Sequence, residues 1–278
     1  MQRYAFLPLA TYPNANSDAV AANAVRMAAH LDCGLHALAL NADIPDISNP
    51  FAKAMINLPE LIRQVEGDSK ARGSQLLAKV EEEARNVGVE ASTEAVRYLA
   101  ALLPDIAATH ARYYDVALCG WEAGNETSRL MAETVVFTAG RPVVLLPELN
   151  PVGSLEHVAV AWDGSRVAAR AVADAEYLLR RARKISVLTV LDEKPLEEKD
   201  PGGRLAASLA KRGLEAEAIG IKCEDCPIES SLQDRAASVG AGILVMGAFG
   251  HSRLREFVLG GATRGVLSDL RMPVMLSH

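Results

Sequence analysis

The sequence feature that most constrains the fold is an internal repeat, because both halves of the 278-residue chain present the same landmarks in the same order. An apolar segment followed by a polar loop opens each half, at residues 4–9 and again at 157–162. Later pairs of apolar segments follow at 115–120 and 242–247, and at 141–146 and 272–277. A repeat of this size is a whole domain. The sequence therefore predicts two tandem domains, at residues 1–148 and 154–278, joined by a linker over 147–154.

Between these landmarks, each half alternates short apolar strands with helical patterns. In the second half Ser165 can cap a helix, residues 185–191 form a β-branched apolar run, and residues 228–239 and 263–270 show helical spacing. In the first half, helices are predicted near 17–31, 61–86 and 99–110. Nearly continuous apolar strands separated by helices are typical of parallel sheets covered on both faces. The pattern predicts an α/β fold with two doubly wound domains.

Composition excludes several classes of protein. Lys and Arg total 29 against 35 Asp and Glu, so the net charge of −6 argues against a nucleic-acid partner. No apolar run approaches the ~18–20 residues that cross a bilayer, and residues 1–18 lack the pattern of a secretory signal. The four cysteines are too few for a disulfide framework in a chain of this length. These features predict a cytoplasmic protein that binds neither nucleic acid nor membrane.

The most informative segment for function is the glycine-rich stretch 247–263, which follows a buried strand and leads into a helix. Such a segment lies at the carboxyl end of a parallel sheet, where doubly wound folds bind their ligands. Gly247 and Gly250 allow close approach of a ribose or phosphate to the backbone. The next helix begins with amides and a hydroxyl suited to an anion, those of Gly260, Gly261, Ala262 and Thr263. The alternative is that these glycines only form tight turns.

This segment resembles the universal stress protein family, whose nucleotide-binding members carry Gly-x2-Gly-x9-Gly followed by Ser or Thr. Gly247, Gly250 and Gly260 match the three glycines, whereas Gly261 replaces the first hydroxyl residue and Thr263 falls on the second hydroxyl position. The resemblance covers both halves in strand order. It implies two domains, each with a five-stranded parallel sheet of order 3-2-1-4-5.

The same resemblance implies a ligand and a role. Asp163 matches the acidic residue that contacts the ribose in the family, Ala161 and Val190 match positions that hold the adenine, and Met246 lies beside it. The family's usual ligand is ATP, with or without Mg²⁺. The resemblance therefore implies an adenine-nucleotide-binding protein with a regulatory role in the stress response.

The first half departs from this pattern at the ribose position and in the glycine-rich loop. Ala10 stands where the second half has Asp163, and the loop after residue 120 is about four residues shorter and lacks the later glycine pair. Three glutamates in this region place negative charge where phosphates would lie, at Glu122, Glu126 and Glu133. The first half is therefore predicted to hold a degenerate site.

Other functions stay open at this point. Cys223 and Cys226 form a CxxC, which can be a redox pair, half of a zinc site or two partly buried thiols. No nucleophile–base pair, Walker A lysine or metal-binding His pair stands out, so no catalytic residues and no metal ligands are assigned. The alternatives to nucleotide binding are a ligand-free dimerisation scaffold and an ATP-cleaving enzyme of similar fold. Pairing of strands 143–146 and 274–276 would give an intrachain pseudo-dimer, and a homodimer is a further option.

Overall fold

A computed structural model describes residues 2–45, 57–192, 199–222, 227–248 and 261–278 of the chain. The chain forms two compact units, Met1–Ala139 and Gly140–His278. This division lies before the predicted linker over 147–154, so the strand at 143–147 falls in the second unit, where it pairs with the last strand.

The first unit alternates strands and helices along the chain. Its elements are β1 (Arg3–Ala10), α1 (Ala19–Leu31), β2 (Cys33–Asp43), α2 (Leu58–Val87), β3 (Ala91–Leu99), α3 (Leu103–Ala111), β4 (Val116–Trp121) and α4 (Glu126–Thr138). The described strands pair in parallel in the order β3-β2-β1-β4. The helices predicted from apolar spacing are confirmed in this unit, with bounds that differ by a few residues.

The second unit follows the same scheme. Its elements are β5 (Val143–Pro147), β6 (His157–Ala161), α5 (Arg166–Asp174), α6 (Glu176–Leu179), β7 (Lys184–Val190), α7 (Pro201–Lys211), β8 (Ala216–Ile221), α8 (Ile228–Ser238), β9 (Ile243–Gly247), α9 (Gly261–Ser268) and β10 (Val274–Ser277). Strands β8-β7-β6-β9-β10 pair in parallel, which is the predicted order 3-2-1-4-5. One strand is antiparallel to the rest, since β5 pairs with β10.

The central strands owe their positions to burial on both faces. All six residues of β4 are buried, as are the inner residues of β6, β7 and β9. The edge strands β3 and β8 instead alternate exposed and half-buried residues. A sheet with central apolar strands and polar edges fits helices packed on both faces. The carboxyl ends of the parallel strands lie along one side of the sheet, which we call its carboxyl edge. Ligands of such folds bind there.

No helix in the described parts of the chain is both long and apolar enough to span a bilayer.

Candidate functional site

The carboxyl edge of the second unit brings together most of the predicted site residues that the structure describes. Ala161 ends β6, Val190 ends β7, and Met246 and Gly247 end β9, and these three strands are neighbours. The Trp162 amide continues the β6–β7 pairing by donating to the Leu188 carbonyl at 2.8 Å. Met246 is buried, whereas Ala161 and Val190 are half-buried at the strand ends. The edge therefore presents short apolar side chains beside the loop that carries Asp163.

Asp163 is held at this edge by the turn that leads from β6 into α5. Its Oδ1 accepts a hydrogen bond from the Ser165 amide at 2.9 Å. Gly164 between them has a φ of 79°, a left-handed conformation that favours glycine. Ser165 is the N-cap that the sequence predicts, because its Oγ accepts from the Ala168 amide at 3.3 Å. The sequence Asp-Gly-Ser thus forms a fixed turn that places the carboxylate at the mouth of the site.

A cavity of about 330 Å³ lies directly beside this carboxylate. The loop after β6 supplies Trp162, Asp163 and Gly164 to its wall, and the first turns of α7 supply the rest: Pro201, Arg204, Leu205 and Ser208. Pro201 and Leu205 are buried, whereas Arg204 and Ser208 are exposed. The cavity combines an apolar floor with a polar rim, which is typical of small-molecule sites. No sequence motif marks the four α7 residues, so this wall could not be predicted from the sequence.

Gly247 has a packing role that its sequence context did not reveal. A Cβ at this position would lie 2.5 Å from the backbone carbon of Val167 and 2.7 Å from the Ala168 nitrogen. Both atoms belong to α5, so the absent side chain lets this helix approach the end of β9. The close approach expected for a ligand is here made by the protein itself. Whether a ligand also contacts Gly247 stays a prediction.

The phosphate-binding part of the predicted site is only partly described. Gly250 and Gly260 lie outside the described residues, as do Cys223 and Cys226. Gly261 and Ala262 begin α9, and Thr263 in its first turn is 4% exposed. The backbone of these residues thus starts a helix at the predicted place, at the end of the glycine-rich stretch 247–263. Within the described residues, no group of three His, Cys, Asp or Glu side chains could hold a metal ion.

In the first unit, buried polar side chains at the equivalent edge are hydrogen-bonded to one another and to the strand ends. Ser69 of α2 is 2% exposed, and its Oγ lies 2.7 Å from Thr11 Oγ1. The same Ser69 hydroxyl accepts from the Ala42 amide at 2.9 Å, and Thr11 donates to the Leu40 carbonyl at 2.7 Å. These contacts tie α2 to the ends of β1 and β2. Because α2 follows β2 as α7 follows β7, these contacts lie at the position equivalent to the α7 wall.

The loop after β1 seals the rest of this edge in the first unit. The buried Asn16 side chain accepts from the Ala10 amide at 2.6 Å, and Asn125 Nδ2 donates to the Ala15 carbonyl at 3.4 Å. Asn125 also caps α4, since its Oδ1 accepts from the Ser128 amide at 3.0 Å. A helix-start amide that could bind an anion is therefore already bonded within the chain. The degenerate site of this half stays a prediction.

A second polar cluster, also missed in the sequence, lies at the opposite ends of the strands in the second unit. His157 Nε2 and the fully buried Ser186 Oγ are 2.9 Å apart, and Ser186 donates to Glu217 at 3.0 Å. Lys184 pairs with the same carboxylate at 2.9 Å. Burial lowers the pKa of His157, as does the nearby Lys184 ammonium, while Glu217 opposes the shift. The cluster joins β6, β7 and β8 and leaves the ligand edge untouched.

Comparisons with known proteins agree with this geometry. Residues 154–278 match the model of the universal stress protein family. The fold of the chain is similar to that of a universal stress protein from Archaeoglobus fulgidus DSM 4304, with a TM-score of 0.68 at 14% identity, over 98% of this chain and 97% of that one. It is also similar to a functionally unknown protein from Pseudomonas aeruginosa PAO1, with a TM-score of 0.57 at 14% identity, over 98% and 92%. No curated protein matches the chain in sequence. At these identities, the structural likeness concerns the fold.

Proposed function

Because residues 154–278 belong to the universal stress protein family, we propose that this half of the chain binds an adenine nucleotide, namely ATP, at the carboxyl edge of its sheet. The observation that carries the proposal is the Asp163 carboxylate, fixed by the turn into α5 at the mouth of a cavity of about 330 Å³. A carboxylate in this position can accept hydrogen bonds from the two ribose hydroxyls. The protein would then act as a nucleotide-dependent regulator in the stress response.

The described residues fit such a ligand from base to phosphates. Ala161 and Val190 offer short apolar side chains for a flat base at the ends of the adjacent strands β6 and β7, and the buried Met246 ends the neighbouring β9. Helix α9 begins with Gly261, and its first amides and positive dipole end suit phosphate. The phosphates of ATP, bound with or without Mg²⁺, would place their negative charge at this helix start. No hydrolytic step is assigned to any side chain.

Asp163→Ala tests the ribose assignment. Loss of a charged hydrogen-bond partner should weaken ATP binding by about 1–3 kcal/mol, measured by calorimetry. Asp174→Ala serves as a matched control, because Asp174 carries the same charge on α5 but pairs with Arg170. Equal ATP affinity in wild type and Asp163→Ala would contradict the assignment.

Gly260→Asp tests the phosphate assignment, because it adds a side chain and a negative charge where phosphates are proposed to bind. ATP binding should be lost in calorimetry. Gly153→Asp is the control, since it adds the same charge at an exposed position with no atom within 4 Å of the new Cβ. Unchanged ATP affinity in Gly260→Asp would rule out this placement of the phosphates.

The contrast between the two units leads to a stoichiometry of one nucleotide per chain. The second unit has Asp163 and an adjacent cavity, whereas Ser69 and Thr11 fill the corresponding place in the first unit. Calorimetry should therefore give one ATP per chain. A complex with nucleotide in both halves, or only beside Gly120, would contradict the asymmetry. The intrachain pseudo-dimer and the homodimer remain proposals, and the mass in solution with and without ATP tests the second.

A further inference from the structure

The α7 wall of the cavity presents a regular helical face toward the ligand site. Pro201, Arg204, Leu205 and Ser208 follow the spacing i, i+3, i+4, i+7, which places them on one side of the helix. Pro201 and Leu205 form an apolar strip, and Arg204 and Ser208 flank it on successive turns. Trp162 stands on the wall supplied by the β6 loop. Arg204 is the only cationic residue among the described residues that line this cavity.

We infer that Arg204 is a specificity-determining residue that donates hydrogen bonds to acceptor atoms of the purine base, while the base, proposed at the ends of β6 and β7, is flanked by Trp162 and the α7 strip. The inference depends on the proposed nucleotide site and adds the group that reads the base. Arg offers only donors and an ionised Asp only accepts. A ligand that fits both must present hydroxyl donors to Asp163 and acceptor atoms to Arg204. A purine nucleoside does so, through its ribose hydroxyls and its ring nitrogens.

Topology indicates which part of the nucleotide faces α7. The crossover connections β6–α5–β7 and β7–α7–β8 run one way along the sheet, and β9–α9–β10 runs the other way. Right-handed crossovers in opposite directions place their helices on opposite faces. Helix α9, where the phosphates are proposed to bind, therefore lies on the opposite face of the sheet from α7. The base is the remaining part of the ligand that can reach Arg204.

The wall that carries Arg204 is firmly seated. A Cβ on Gly202 would lie 2.7 Å from Thr189 Oγ1, so α7 packs closely on the end of β7. Asp200 caps the same helix by accepting from the Gly203 amide at 2.8 Å. Arg204 follows directly after this fixed turn. The backbone that carries Arg204 is thus held in place beside the cavity.

The test compares Arg204→Met with wild type, using three probes in calorimetry: ATP, adenosine and inorganic tripolyphosphate. Arg204→Met keeps an apolar stem and removes the donors. ATP and adenosine should each bind about tenfold more weakly, because both carry the base. Tripolyphosphate, which has no base, should bind equally to both proteins. Lys211→Met is the control, because Lys211 is an exposed cation on α7 that does not line the cavity.

Each other outcome overturns the inference in a recognisable way. A parallel loss for ATP and tripolyphosphate, with adenosine unaffected, would place Arg204 on the phosphates. An equal loss in Lys211→Met would reduce the effect to general electrostatics. Unchanged ATP binding in Arg204→Met, with binding still lost in Asp163→Ala, would refute base recognition alone. If wild type binds no ATP, the proposed function fails, and base recognition fails with it.

Fluorescence gives a second readout, because a tryptophan lies in the proposed base site. The chain has two tryptophans, Trp121, which is 5% exposed in the first unit, and Trp162 in the cavity wall. In a Trp121→Phe background, adenosine should change the emission of Trp162, and Arg204→Met should shift that titration to about tenfold higher adenosine. A titration with no Trp162 response at saturating adenosine would contradict contact between base and indole.

Discussion

Replacement of Gly247 by alanine separates two roles that this residue can have at the end of β9. In the structure a new Cβ would meet the backbone of α5, 2.5 Å from the Val167 carbon and 2.7 Å from the Ala168 nitrogen. Ordinary carbon contacts are ~3.5–4.0 Å, so the gap is short by about 1 Å. Because these atoms are backbone, no side chain can rotate away. Helix α5 must move relative to the sheet.

The cost of this movement follows from the packing of α5. Ala168, Ala171 and Val172 of the helix are buried, so a shift of about 1 Å disturbs contacts with the sheet along its length. Overpacking of this kind typically costs ~2 kcal/mol. For a domain of this size that cost lowers Tm by about 4–8 °C. The turn at Asp163 precedes α5 directly, so ATP affinity should also fall.

Thermal unfolding followed by circular dichroism, together with ATP calorimetry, measures both effects. Gly153→Ala is the matched control, because a Cβ there meets no atom within 4 Å. It should leave Tm within about 1 °C of wild type. If Gly247→Ala keeps the wild-type Tm and loses only ATP affinity, Gly247 serves ligand approach and the packing argument is refuted.

Three further predictions concern stability. Burial and Lys184 lower the pKa of His157 in the folded protein, so the unfolded chain is protonated first as the pH falls. The free energy of unfolding should therefore decline below pH ~6.5. In urea titrations at several pH values, His157→Gln should flatten that decline. Ser69→Ala should cost about 1–3 kcal/mol in urea unfolding, because the buried Ala42 amide loses its acceptor, and an unchanged midpoint would contradict the closed edge. Gly67→Ala, in open space on α2, should instead stabilise by about 0.5–1 kcal/mol through helix propensity.

Local signals were enough to predict the secondary-structure elements. Periodicity and side-chain chemistry predict the apolar strands, the helix at 58–87 and the cap at Ser165, with bounds within a few residues of those observed. The position of Asp163 at the sheet edge follows from the strand that precedes it. The repeat then orders these elements into two similar domains, because parallel sheets admit few connections.

Contacts between distant residues could not be predicted in this way. Ser69 closes the first edge because α2 crosses the ends of β1 and β2, and nothing near Ser69 in the sequence indicates this contact. Arg204 lines the cavity because α7 lies beside the Asp163 turn, and Gly247 lacks a side chain because α5 occupies that space. The sequence by itself determined the strands, helices and motif positions, since those depend on neighbouring residues. Only the tertiary structure decided which edge is open, because that depends on which side chains the packed helices bring to the strand ends.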